Sequence, residues 1–129
     1  MIILDTSVWI EFLCARAPYA QRVDALLQLR QVLALPWVFG ELLQGARAKR
    51  EVKIITELWE ALPKPECEFC EKAWILAGAH SQRERWIAKG VGLIDAAILA
   101  AALEFKAKVW TLDKNLGSLL AARKMRFDC

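Results

Sequence analysis

The sequence lacks any apolar run long enough to cross a membrane. Its longest, Ala96 to Leu103, falls far short of the ~18 residues a spanning helix needs. No basic stretch precedes the apolar start Met1–Leu4, so the N-terminus does not read as a signal peptide, and the cytoplasm is the expected location. Histidine is nearly absent: His80 stands alone, which argues against catalysis built on a histidine pair and marks it as a surface or packing residue. Cysteine is sparse too. Cys67 and Cys70 make one C-x-x-C, while Cys14 and Cys129 stand apart. With no second pair, a zinc site lacks ligands, and buried or incidental thiols are the better reading. There are no repeats, linkers or low-complexity segments. The 129 residues suit a single domain over 1–129.

What the chain has in quantity is apolar bulk. Hydrophobic residues make up 57% of it, with six tryptophans and a mean hydropathy of +0.26. The tryptophans are more than a core of this size is expected to hide. The net charge of +3 is unevenly spread. Glu57 to Glu71 carries five glutamates against Lys64, whereas Phe105 to Phe127 carries six basic residues against Asp113. Two further basic clusters are Arg47, Lys49, Arg50 and Lys53, and Arg83, Arg85 and Lys89. Each cluster taken singly reads as a solvated helix face. Together, around an acidic metal site, they would suit a polyanion such as RNA.

The pattern along the chain predicts alternating strands and helices. Met1–Leu4 is a continuous apolar run, as in a parallel strand covered on both faces. Thr6 or Ser7 is placed to cap a helix to about Cys14. A helix follows Pro18, then a short strand at Gln31–Leu35. Pro36 starts a helix over Trp37 to about Ala46, and Glu51–Leu62 is amphipathic. Glu66–Phe69 reads as a short strand and Glu71 to about Ala88 as a long helix. Lys89–Gly92 breaks the chain. Leu93–Phe105, apolar nearly all round, is expected to be deeply buried. Lys108–Leu112 is a strand, Asn115–Ala122 a helix, and Lys124–Phe127 a last strand. The implied fold is α/β, a three-layer sandwich with a short parallel sheet between helices.

Four acids stand at the ends of apolar runs: Asp5 after Met-Ile-Ile-Leu, Glu41 in Pro-Trp-Val-Phe-Gly-Glu, Asp95 in Gly-Leu-Ile-Asp-Ala-Ala, and Asp113 after Val-Trp-Thr-Leu. No Lys or Arg lies within three residues of Asp5, Glu41 or Asp95. Buried carboxylates need partners. In open α/β sheets the site lies outside the carboxyl ends of the strands, where Asp5 and Asp113 fall. Glu41 and Asp95 sit near helix starts close to that edge. If the fold gathers them, Mg²⁺ or Mn²⁺ is the natural neutraliser, because these ions favour oxygen ligands. Without one, carboxylates ~4 Å apart repel by ~4 kcal/mol at an effective dielectric near 20. Asp113 alone reads equally well as a helix cap.

In the blocks Asp5-Thr6-Ser7-Val8-Trp9-Ile10, Glu41-Leu42-Leu43-Gln44-Gly45, Gly92-Leu93-Ile94-Asp95-Ala96-Ala97 and Thr111-Leu112-Asp113, the chain resembles the PIN domain, and within it the VapC-type toxins of toxin–antitoxin pairs. The resemblance spans essentially the whole chain. It implies a parallel sheet between helices, a homodimer, and Mg²⁺- or Mn²⁺-dependent endoribonuclease activity. The four acidic positions fall on Asp5, Glu41, Asp95 and Asp113 as metal-holding, catalytic carboxylates. Thr6, Ser7, Thr111 and Asn115 are candidate outer donors that orient them. Two points depart from the common pattern. Gly40 precedes Glu41 inside a helix, which suggests close backbone packing. Lys114-Asn115-Leu116 follows Asp113 where many relatives carry a second acid and an aromatic, leaving Asn115 as a neutral outer ligand or water binder.

Other readings compete. Asp5 after the first strand also suits a phosphoryl-transfer nucleophile, but haloacid-dehalogenase-like enzymes need a second Asp two residues on, and that position is Ser7. A PIN nuclease without a toxin role, or a silent PIN-like binding module, is the remaining alternative. The family further implies a small antitoxin. The helices carrying Trp9, Phe12, Trp37, Trp59 and Leu62 are the expected seat for it, with an Arg of the partner addressing the acidic site.

Overall fold

The computed structural model describes residues 1–128. Strand β1 (Ile2–Leu4) pairs in parallel with β2 (Lys108–Trp110), in the register Ile2–Lys108, Ile3–Val109 and Leu4–Trp110. Successive strand residues point to opposite faces, yet Ile3, Leu4, Val109 and Trp110 are all buried. Both faces of the sheet are therefore covered, as the unbroken apolar runs require. Seven α-helices do the covering: α1 (Thr6–Leu13), α2 (Tyr19–Gln28), α3 (Pro36–Gln44), α4 (Lys49–Ala61), α5 (Cys67–Glu84), α6 (Leu93–Phe105) and α7 (Lys114–Ala122). This is the expected α/β arrangement of a short parallel sheet between helices.

The expected strands at Gln31–Leu35 and Lys124–Phe127 contract to single parallel bridges, Ile2–Val32 and Val109–Arg126. They still flank the pair, giving the order Val32, β1, β2, Arg126 across the sheet. The expected strand at Glu66–Phe69 is wrong: α5 already begins at Cys67. The inward stripe of α5, Ala73, Ala77 and Ser81, continues back through half-buried Cys70 at helical spacing. Pro63 and Pro65 end the preceding segment, so nothing interrupts the helix once it starts. α5 packs along α6, which buries every residue from Ala96 to Ala102. Small side chains on both helices permit that close approach.

Two further expectations are corrected. The tryptophans are mostly core: Trp9, Trp37, Trp86 and Trp110 are buried, Trp59 is half-buried, and Trp74 is the one exposed. Edge-to-face contacts, such as Trp9 with Phe39 at 5.3 Å and Trp37 with Trp74 at 5.3 Å, let several large rings share the interior. Gly40 does not serve close packing, because a methyl group there would meet open space. His80 packs against Trp86. No helix among the described residues is long and apolar enough to cross a membrane.

Candidate active site

The carboxyl ends of β1 and β2 lie side by side, and the chain leaves them for opposite flanks of the sheet. That divergence opens a crevice at the strand ends. Asp5 sits at its base, only 6% exposed. Its backbone N–H donates to Trp110 O at 3.0 Å, extending the ladder past β1. Neither Thr6 nor Ser7 caps α1, contrary to expectation. Asp5 is itself the cap, its Oδ1 accepting from Thr6 N at 2.8 Å. A carboxylate satisfies the bare N–H groups there better than a hydroxyl, through charge and the helix dipole.

The hydroxyls so released do other work. Ser7 Oγ and Thr111 Oγ1 both donate to Asp5 Oδ2, at 2.9 and 2.7 Å. Each also accepts from the loop after β2: Leu112 N donates to Ser7 Oγ at 3.1 Å, and Asp113 N to Thr111 Oγ1 at 3.0 Å. The two hydroxyls thus fasten the start of α1 to the start of α7 through Asp5. With two donors on Oδ2, the carboxylate keeps free lone-pair capacity chiefly on Oδ1. Thr111→Val is expected to cost ~1–3 kcal/mol, because it strips a buried carboxylate and a backbone N–H of one shared partner. Urea unfolding checks this, and Thr111→Ser should retain most of the stability.

Glu41, half-buried on α3, accepts from Thr6 Oγ1 at 2.8 Å, so a third hydroxyl ties α1 to α3. Asp113 is exposed and does cap α7, accepting from Leu116 N at 2.8 Å. Asp95 lies half-buried in the first turn of α6. Asn115 makes no hydrogen bond to any of the four acids among the described residues. Its side chain lies instead against Gly90, whose φ of +79° and lack of Cβ admit it.

The four acids form one electrostatic group. Asp95 has its pKa raised from 3.8 to about 6, first by burial and then by the charges of Asp5, Asp113 and Glu41. None of the described ion pairs involves any of the four. Among the described residues, no three acidic, histidine or cysteine side chains draw together into a closed ligand cluster. The donor set is all carboxylate, with no imidazole or thiolate. By donor chemistry and by charge it fits Mg²⁺ or Mn²⁺.

Beside the acids runs an apolar groove of about 290 Å³ between α1, α3 and α4. Ile10, Leu13, Leu42 and Ile54 form its walls, and Thr6 and Glu41 stand at its rim. The helices are those expected to seat a partner, but the residues are not. Trp9, Trp37 and Leu62 are buried in the core, and Phe12 and Trp59 pack against it. The sequence signal was the exposed Ile10 next to buried Trp9 on a helix whose inner face is already filled. Far from this site, Cys67 is exposed on the first turn of α5 and Cys70 half-buried. Burial, then Cys67, pushes the Cys70 thiol up.

Residues 2–119 match the family model of the PIN domain. The chain is also 35% identical over 122 residues to Ribonuclease VapC32 of Mycobacterium tuberculosis, in both strain CDC 1551 / Oshkosh and strain H37Rv. The match covers 94% of this chain and 91% of each relative.

Proposed function

Because this chain belongs to the PIN domain family, on its VapC-type branch, we propose that it is a Mg²⁺- or Mn²⁺-dependent endoribonuclease and the toxin of a toxin–antitoxin pair. The observation that carries this reading is the state of Asp95: a half-buried carboxyl held near a pKa of 6 by burial and by three other acids, with none of the four in an ion pair among the described residues. A purely structural role gives no reason to maintain such repulsion. The relatives named as ribonucleases support the same reading.

In the proposed mechanism Asp5, Glu41, Asp95 and Asp113 hold the divalent ion. When bound, that ion lowers the pKa of water and neutralises charge developing on the phosphate. The protein's part is to fix the carboxylates. Ser7 and Thr111 hold Asp5 Oδ2, Thr6 N holds Oδ1, and Thr6 Oγ1 holds Glu41. These outer donors set the directions of the free lone pairs. Exposed Arg47, Lys49, Arg50 and Lys53, at the α3–α4 junction, offset the acidic centre and favour approach of a polyanion. The groove between α1, α3 and α4 is the proposed seat of an apolar segment of the antitoxin, within reach of Glu41. Self-association is part of the same proposal, supported by the exposed Trp74, Ile75 and Leu76 on α5.

The test is cleavage of single-stranded RNA by purified protein. Mg²⁺ or Mn²⁺ should support cleavage and excess chelator should abolish it. Equal degradation in chelator would overturn the metal reading, and no cleavage with any divalent ion would overturn the nuclease reading.

A further inference from the structure

A second cleft adjoins the acids on the side away from the apolar groove. It encloses about 190 Å³ between the start of α2, the end of β2 and the C-terminal bridge. Its lining includes Tyr19, Trp110, Thr111, Arg126 and Phe127, with the carboxylate Asp128 beside Arg126. Three aromatic rings stand in sequence, with Tyr19 and Trp110 at 5.9 Å and Trp110 and Phe127 at 5.5 Å between centroids. Trp110 is buried, whereas Tyr19 and Phe127 are half-buried and keep ring surface accessible. Thr111, which lines the cleft, links it to the acidic centre: its hydroxyl donates to Asp5 Oδ2.

Arg126 supplies charge at the mouth. It is exposed and pairs with Asp128 at 3.2 Å, both side chains open to solvent at 46% and 80%. Exposed pairs of this kind are weak and exchange readily. A guanidinium released from so weak a pair is able to take a phosphate bidentately. Aromatic faces flanked by arginine are the elements that hold unpaired bases and their backbone, and the cleft has space for one base.

We infer that this cleft is a nucleotide subsite: it takes one unpaired base of a single-stranded RNA, next to the phosphodiester presented to the acids, with Tyr19 and Phe127 against the base and Arg126 on an adjacent phosphate. The inference rests on the nuclease reading for its substrate, but binding tests it separately. It also has a consequence for substrate class, since a base held here cannot be paired.

The experiment measures binding of a short fluorescent single-stranded RNA by anisotropy in chelator, alongside cleavage kinetics with Mg²⁺ or Mn²⁺. Tyr19→Leu should weaken binding about tenfold or more, the range for losing one stacked base. Tyr19→Phe should restore it. Scanning a single abasic site along the oligonucleotide should find one position with a similar loss in the wild type and little further loss in Tyr19→Leu, as coupled partners require. Arg126→Gln should raise KM and flatten the slope of log affinity against log salt by about 0.7, one phosphate contact. Lys72→Gln, an exposed charge on α5 outside the basic clusters, serves as the control and should change neither.

If the wild type cleaves RNA while Tyr19→Leu and Arg126→Gln bind and cleave as it does, the subsite is refuted and the nuclease stands. If the wild type binds in a Tyr19-dependent way but never cleaves, the subsite stands and the nuclease reading falls. Failure to bind single-stranded RNA overturns the subsite, and failure both to bind and to cleave it overturns both.

Discussion

Asp95→Asn should abolish RNA cleavage while leaving a folded protein. The substitution keeps the shape of the side chain and removes its charge and one ligand oxygen. Loss of an outer partner of a metal ligand typically costs 10–100-fold in activity, so on the proposed mechanism loss of a carboxylate from the metal-holding set should cost ~100-fold or more. Stability should not suffer. Asp95 makes no described hydrogen bond or ion pair, and its charge is opposed by burial, Asp5, Asp113 and Glu41. Asp5→Asn should be equally inactive but less stable, because its carboxylate accepts from Thr6 N, Ser7 Oγ and Thr111 Oγ1. An amide replaces one acceptor oxygen with a donor and forces that network to rearrange. The contrast separates ligand from scaffold. Circular dichroism and melting should show native Asp95→Asn, and near-wild-type cleavage by that variant would remove Asp95 from the mechanism.

Much of this architecture could be read from residue order. Ile2-Ile3-Leu4 and Lys108-Val109-Trp110 declare themselves because both faces of the sheet are covered, so apolar residues run without alternation. Leu93–Phe105 declares itself because α6 is enclosed. What stayed hidden depended on partners distant in sequence. Gln31–Leu35 and Lys124–Phe127 have strand composition, but the sheet grants each a single bridge. Glu66–Phe69 has enough apolar residues for a strand, and only its packing on α6 decides for helix. The capping role of Asp5 was masked by Thr6 and Ser7, both favourable caps in isolation. The Thr6 hydroxyl is committed to Glu41, 35 residues away, and the Ser7 hydroxyl accepts from Leu112 N, 105 residues away, while donating to Asp5 Oδ2. The groove walls were hidden because Trp9 and Trp37 look like binding residues until the core is seen to hold them. The Tyr19–Trp110–Phe127 cleft brings together three distant segments, so no local pattern announces it.

The metal-free protein should lose stability as pH rises through the range where Asp95 ionises, and bound Mg²⁺ or Mn²⁺ should reverse that trend. The folded-state pKa of Asp95 is about 6, against 3.8 for the free carboxyl. Between those values the folded state holds the proton more tightly than the unfolded chain, so stability falls with rising pH. The contribution is fully present below 3.8 and lost once the pH passes 6. A shift of this size sets a ceiling of ~3 kcal/mol. Asp95 is only half-buried, so solvent screening should reduce the observed loss to ~1–2 kcal/mol. Asp95→Asn cannot ionise, so the difference between its unfolding free energy and that of the wild type isolates this effect from other titrating groups. A divalent ion changes the sign, because it binds the deprotonated site and its affinity therefore grows with pH. At 100-fold over its dissociation constant it adds ~2.7 kcal/mol, enough to cover the loss. Urea unfolding from pH 4 to 8, in chelator and then in millimolar Mg²⁺ or Mn²⁺, should give curves that diverge above pH 6 for the wild type and far less for Asp95→Asn. Parallel curves for the two proteins in chelator would mean that neither burial nor its neighbours hold the Asp95 proton. A wild type indifferent to both ions at pH 8 would mean that the four carboxylates do not hold one.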